Sequence, residues 1–414
     1  MSTALIWCIA AGTIAGVLFR PNEWPEAVWA CLGALLLVVC RLLPLSQAGA
    51  AVAKGTDVYL FLTGMMLLAE LARREGVFDW LASLAVCAAR GSRTRLFSLV
   101  YLVGTVVTVF LSNDATAVVL TPAVYAAVQK ARAKALPYLF ICTFIANAAS
   151  FVLPISNPAN LVVYGKNLPP LMPWLRTFLL PSVLSILATY AALRWTFRRD
   201  LVGKVEDGRE PARLSQEGCL AAWGIAGTGV ILIGASALGL DLGLPTCVAA
   251  VIAVGVSTRA RGAALKGIVQ GVSWSVLPLV AGLFVMVEAL NHAGAVSNVG
   301  RALSICAGMP RAGGGLTVAF GIAALSNVMN NLPSGLLAGG AVHAVHVSAH
   351  IRDCVLIGVD IGPNLSVTGS LATVLWLIAL RREGEQISGW QFLKMGLLVM
   401  PPALILSALA VSVI

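Results

Sequence analysis

Apolar runs long enough to cross a lipid bilayer follow one another from Ser2 to Ile414, and several carry polar residues at their centre. Backbone in hydrocarbon has no water to bond. Helices and closed barrels can span it, and irregular backbone survives there only inside protein or beside a water-filled cavity. Asp114 states the problem sharply: it is the only charged residue between Leu96 and Val128, in the stretch VFLSNDATAVVL.

The chain has 414 residues, 59% hydrophobic and only 11% charged, with a mean hydropathy of +0.90. Soluble domains carry about 25% charged residues, and a helical span needs about 20 predominantly apolar ones. The sequence therefore reads as an all-α polytopic membrane protein. Candidate spans are roughly 3–19, 27–43, 57–72, 136–165, 173–195, 218–238, 244–258, 273–291, 351–381 and 392–413, about ten transmembrane helices. Segments 77–90 and 294–307 are shorter and amphipathic, which suits helices lying along the interface. Ser2–Phe19 has neither a preceding basic region nor a small-residue cleavage site, so it reads as a first span rather than a leader.

The net charge of +10 does not point to nucleic acid in a chain this apolar. It matches an excess of Lys and Arg in cytoplasmic loops. With the spans above, 21 of the 28 Lys and Arg fall on one side, from Arg20, Arg73 and Arg74 to Arg209, Arg261 and Arg382. That side is then cytoplasmic and both termini face out. The asymmetry holds only if the apolar regions 95–130 and 314–346 each return to the side they entered from, as re-entrant hairpins. Each is broken near its middle, by Ser112-Asn113-Asp114 and by Ser326-Asn327-Val328-Met329-Asn330-Asn331.

A repeated plan emerges: 1–195 and 218–414 as two repeats, with 196–217 as a cytoplasmic linker. Each repeat has three spans, an amphipathic segment, a hairpin, a broken span and a last span. Leu-Ser-Asn at 111–113 recurs at 325–327, and Thr121-Pro122 has a loose counterpart in Leu332-Pro333. The broken spans, 136–165 and 351–381, are interrupted by Pro154-Ile155-Ser156-Asn157-Pro158-Ala159-Asn160 and by Gly362-Pro363-Asn364-Leu365-Ser366. An odd number of crossings per repeat inverts the second relative to the first. Inverted repeats with paired Pro/Gly-broken helices point to a secondary transporter with its site at mid-membrane.

Proline removes a helical N–H and clashes with the preceding turn, leaving half-helices whose ends carry unpaired groups and a dipole. Around the breaks cluster Asn113, Asn157, Asn160, Asn327, Asn330, Asn331, Asn364, Ser366, Thr368 and Ser370, the candidate substrate-binding residues. Amides and hydroxyls both donate and accept, a lining suited to a small polyhydroxylated or weakly charged solute. Each could equally cap a broken helix. An intramembrane carboxylate is costly and functional by default, which makes Asp114 and Asp360 candidate proton-coupling residues. Glu70 and Glu288 lie near span ends, within reach of the interface.

No metal site or cofactor is expected. His343, His346 and His350 follow helical spacing and read as a polar stripe on a hairpin arm. The nine cysteines include no Cys-x-x-Cys and read as small buried hydrophobes. Cys142 and Cys354 lie closest to the breaks, but no three cluster as thiolate ligation of a soft metalloid would need. Gly-x-Gly-Asp, Gly-x-Ser-Gly and His-Glu-x-x-His are absent, which leaves an intramembrane protease without its chemistry. A passive metalloid channel is the remaining plain alternative.

At 356–377, LIGVDIGPNLSVTGSLATVLWL, the chain resembles the arsenite-efflux permease family (ArsB type) of the ion-transporter superfamily. Ile357-Gly358-Val359-Asp360-Ile361-Gly362-Pro363 and Gly369-Ser370-Leu371-Ala372-Thr373-Val374-Leu375-Trp376 match that family's segment closely. Ser112-Asn113-Asp114 through Leu120-Thr121-Pro122, Met329-Asn330-Asn331-Leu332-Pro333, and Ser156-Asn157 followed by Asn160 resemble its other motifs in order. The resemblance implies export of arsenite and antimonite, as trivalent hydroxides, in exchange for protons across a bacterial inner membrane. It also implies an elevator-type transport domain moving against a scaffold, and a soluble ATPase subunit that joins some members. Three positions depart from the family pattern: Asn147 stands where Asp is frequent, Val359 where Cys is, and Asn364 where Lys is. The alternative is a sodium- or proton-coupled anion carrier, or a sodium/proton antiporter, of the same superfamily.

Overall fold

The computed structural model describes residues 2–21, 24–206, 213–259, 262–345 and 347–414. Arg209, Arg261 and His346, on which sequence expectations were placed, lie outside the described residues. Among those described there are helices and no strand; the bridge between Ser92 and Lys204 is isolated.

The first series of helices is α1 (Ser2–Phe19), α2 (Glu26–Val39), α3 (Leu45–Lys54), α4 (Thr56–Arg74), α5 (Val77–Ala88), α6 (Arg93–Phe110), α7 (Thr121–Lys130), α8 (Leu136–Ala148), α9 (Pro158–Tyr164) and α10 (Leu171–Thr196). The second is α11 (Gln216–Ala237), α12 (Gly243–Ser257), α13 (Gly262–Gly271), α14 (Val276–His292), α15 (Ala295–Ala307), α16 (Arg311–Met329), α17 (Asn331–Val345), α18 (Ala349–Ile361), α19 (Leu371–Arg382) and α20 (Gly389–Val413). Some lengths match along the two series, with 13 residues in both α8 and α18 and 10 in both α3 and α13, while α7 and α17 (10 and 15) and α9 and α19 (7 and 12) differ.

Six helices among the described residues are long and apolar enough to cross a bilayer, or seven if α3 and α4, bent by 49°, form one span. About ten were expected. α2 and α12 are apolar but have only 14 and 15 residues. The apolar run 27–43 yields a shorter helix because the chain turns off at Arg41, which adopts φ 55°. Two of the six long helices, α6 and α16, are arms of the expected hairpins rather than expected spans.

The helices pack as two sets. In one, α4 lies on α12, α2 on α14, α1 on α2 and α11 on α12. Between apolar helices in lipid, association rests on close packing, which small residues permit. Here Gly64 of α4 sits against the Thr246 backbone of α12, and Gly282 of α14 against Ala30 of α2; a Cβ on either would lie under 3 Å from those atoms. In the other set α6 packs on α8, α16 on α18, α15 on α17, and α10 along α20. Phe140 and Phe144 of α8, Trp376 of α19 and Phe392 of α20 form an aromatic core there, with ring centroids 5.3–6.3 Å apart.

Both hairpins close at their roots. Val205 N–H donates to the Gly91 carbonyl (2.9 Å) and Glu206 N–H to that of Ala131 (3.1 Å), so consecutive linker residues bind the two ends of the first hairpin. At the second, His350 Nε2 donates to the Arg311 carbonyl, 2.8 Å away, across the base.

Candidate functional site

Two hairpin turns and two helix breaks meet where the two sets of helices face each other. Each turn hinges on one residue at positive φ, Ser112 (155°) in the first hairpin and Asn330 (76°) in the second. A pair of buried hydroxyls eight residues apart ties the arms just below each turn: Thr108 with Thr116 at 2.8 Å, and Ser326 with Ser334 at 3.1 Å. The second turn falls within the 326–331 break expected from the sequence, at its C-terminal end rather than at the Leu-Ser-Asn recurrence. Ser326 and Asn327 lie inside α16, and the chain turns at Asn330-Asn331. The Leu-Ser-Asn recurrence aligned letters, whereas the hydroxyl pairs pair Asn113 with Asn331 and Asp114 with Leu332.

The breaks are also alike. Asn157 is extended (φ −150°, ψ 131°), and its Oδ1 accepts from Ala159 N–H (3.0 Å), capping α9 with Pro158 at the first position. Ser370 is extended (φ −143°, ψ 154°), and its Oγ accepts from Thr373 N–H (3.1 Å), capping α19. The second break folds tightly: a Cβ on Gly369 would lie 2.5 Å from Pro363 Cα, so this residue must be glycine.

These four features border a half-open cavity of about 20 Å³, room for roughly one water. Asn113, Asp114, Asn157, Asn331 and Ser370 line it, with Leu62 of α4, Val276 of α14 and Leu332, Pro158, Leu371 and Ala372 as apolar wall. Asp114 is the single ionisable side chain in that lining, and none is basic. Asp114, Pro158 and Leu371 also line a second space of about 770 Å³ bounded by α4, α5, the first hairpin and α19. Met65 and Met66 face this vestibule, and Glu70, Arg73, Asp79, Arg382 and Glu383 lie at its helix-end rim. Asp114 thus stands on the partition between chamber and vestibule.

The remaining sequence candidates do not line the cavity. Asp360 is buried behind its wall, where its Oδ1 accepts from Asn157 Nδ2 (2.5 Å). Asn160 Nδ2 donates to the carbonyls of Ser150, Leu153 and Pro154, holding the first break shut. Asn327, Ser366 and Thr368 satisfy one another: Asn327 Nδ2 donates to the Ala323 and Gly362 carbonyls, Ser366 Oγ to Asn327 Oδ1, and Thr368 Oγ1 to the Asn327 carbonyl. Asn330 serves the turn, its Oδ1 accepting from Leu332 N–H at 3.4 Å. Asn364 donates to the Phe144 carbonyl (3.1 Å) and accepts from Asn147 Nδ2 (3.0 Å). Asn147 and Asn364, two of the three departures noted above, are therefore in direct contact as a neutral amide pair.

Glu70 is buried near the end of α4. Arg73 (2.6 and 2.7 Å) and Arg74 (2.8 Å) both donate to it, while Glu288 pairs with Lys54 at 2.8 Å. His343 meets Asn167 at 3.4 Å, and Cys354 lies 3.9 Å from His350. Among the described residues no three His, Cys, Asp or Glu side chains gather as a metal ion would require. Sequence reasoning missed the apolar walls Leu62 and Val276, which carry no chemical signal. It also missed Asp353, which accepts a hydrogen bond from Tyr164 (2.7 Å). Asp353 precedes Asp360 by seven residues, the spacing of one helix face, and that spacing would have found it.

A family profile described as "Citrate transporter" (CitMHS) matches residues 14–358. The arsenical pump membrane protein of Escherichia coli (strain K12) is 25% identical over 418 residues, covering 97% of this chain and 96% of that protein. An uncharacterized transporter of Mycobacterium tuberculosis is 28% identical over 371 residues, 85% of each chain. Among solved structures, the YdaH transporter of Alcanivorax borkumensis superposes with a TM-score of 0.57 at 15% identity, covering 94% of this chain and 97% of that one. At that identity the likeness speaks for the fold.

Proposed function

The chain belongs to the citrate transporter (CitMHS) family of multi-pass membrane proteins, and from that premise we propose that it exports arsenite and antimonite in exchange for protons. The observation that carries this reading is the chemistry of the residues that meet at the small, half-open cavity: amides and a hydroxyl, one carboxylate and no cation. Trivalent arsenic is a neutral trihydroxide at neutral pH, and such a lining offers it donors and acceptors without a net attraction for anions. The arsenical pump relatives, matched over nearly the full length of both chains, support the same substrate class.

On this reading residues 1–195 and 218–414 are inverted repeats, supported by the same number of helices in each series and by the paired turns and caps. The set containing α1–α4 and α11–α14 is a scaffold, and the hairpins and broken helices form the moving part. The vestibule is the cytoplasmic entrance, since its rim arginines belong to the Lys/Arg-rich side. Asp114, deprotonated toward the cytoplasm, admits the solute, and protonation from outside favours release. Asp360 acts through Asn157. Arsenite uptake by everted vesicles under an imposed pH gradient tests the scheme. Accumulation abolished by an uncoupler and indifferent to sodium is the expected result; uptake that needs sodium, or fails to go uphill, sinks it.

A second reading, a sodium- or proton-coupled anion carrier, draws on the family's description and on Arg73 and Arg382 at the vestibule rim. Inhibition of arsenite uptake by citrate would favour it.

A further inference from the structure

We infer that Asp353 and Tyr164 are positioning residues for the cavity: with Asp360 and Asn157 they clamp α9 at both ends against one face of α18. α9 has seven residues, too few to hold a helix by its own hydrogen bonds. Its near end supplies Asn157 and Pro158 to the cavity wall, and Asp360 accepts from Asn157 there. At its far end the buried Tyr164 hydroxyl donates to Asp353 (2.7 Å), to which Arg352 Nε also donates (3.2 Å). The Arg352 guanidinium lies 4.9 Å from the Tyr164 ring centroid, and the ring packs on Trp174 at 5.5 Å. Asn157 and Tyr164 are seven residues apart, as are Asp353 and Asp360, so each carboxylate meets one end of the short helix.

The other break shows that packing alone does not demand this pair. α8 and α18 have equal length, and the residue of α8 in register with Asp353 is Phe140. Phe140 packs on Trp376 of α19, centroids 5.6 Å apart, and the Trp376 indole N–H donates to the Leu139 carbonyl (3.1 Å). α19 is thus tied to α8 without a carboxylate, whereas α9 is held by two, which points to a need for fixed orientation at Asn157 in particular.

The test compares Tyr164→Phe, which keeps the ring packing, with Asp353→Asn in the full-length protein reconstituted in liposomes. Hydrogen exchange over residues 158–164 should accelerate in both variants, with residues 371–382 unchanged. Arsenite transport, which rests on the function proposed above, should show KM raised roughly five-fold, Vmax nearly kept, and Asp353→Glu partly restored. Unchanged exchange over α9 in Tyr164→Phe, or Vmax lost at constant KM, overturns the inference. Should the wild type move no arsenite, the proposed function falls and the exchange measurement alone decides the clamp.

Discussion

The two hairpins share a frame and differ in chemistry. Both turn on a residue at positive φ, both lock their arms with buried hydroxyls eight residues apart, and both put an asparagine into the cavity. The next residue is Asp114 in one and Leu332 in the other. The first hairpin then runs through a π-helical stretch, Ala115–Leu120, whose wider turn is a frequent mark of functional segments, while the second proceeds directly as α17. The vestibule follows the first hairpin alone. The shared frame supplies alike walls, and on the proposed function the proton-coupling role falls to the one position where the two turns differ.

That contrast can be attacked directly. Asp114→Asn should lower proton-driven arsenite transport by about 100-fold, whereas Asn331→Ala, on the other turn, should mainly raise KM. Comparable losses in the two variants would erase the distinction. Adding Leu332→Asp to Asp114→Asn should give no rescue, since no vestibule reaches the second tip. A carboxylate at that buried site should destabilise the protein by about 3 kcal/mol, read as a lowered melting temperature in detergent. Restored transport would mean the hairpins are interchangeable. Thr116→Val and Ser334→Ala should each cost about 1 kcal/mol of stability, with transport affected only by the first. Smallest of all, Asn330→Gly should relieve its unusual backbone at the cost of one weak side-chain bond, changing stability by less than about 1 kcal/mol.

Much of this was legible in the sequence, for reasons that particular residues make plain. Apolar runs exposed the helices, and prolines 154, 158 and 363 marked the breaks, because a missing N–H acts locally. The second turn was legible only to within 326–331: Ser326, Asn327, Asn330 and Asn331 look alike as letters, and only the backbone of Asn330 decides among them. Nor could composition separate the residues that line the cavity from those that repair the breaks. Asn160 and Asn327 have the same side chain as Asn113, yet their amides are consumed by carbonyls stranded at the breaks. Length alone does not separate spans from hairpin arms, since α6 and α16 are each long enough to cross and fall in the regions set aside as hairpins, while α2 and α12 in the counted spans have only 14 and 15 residues.

The hydrogen bonds from Val205 and Glu206 to the two roots of the first hairpin bear on how the chain could be divided. Polar and rich in charge, residues 197–206 look like a slack tether. In the structure they are a splint, with Lys134 paired to Asp200 and Arg132 to Glu206 at the Ala131 end, and Arg93 and Thr94 donating to the Val202 and Leu201 carbonyls at the Gly91 end. Expressed as two polypeptides, the protein should therefore reassemble when the cut follows Glu206. A cut at residue 196 would strip the N-terminal piece of the strap that keeps its hairpin roots together.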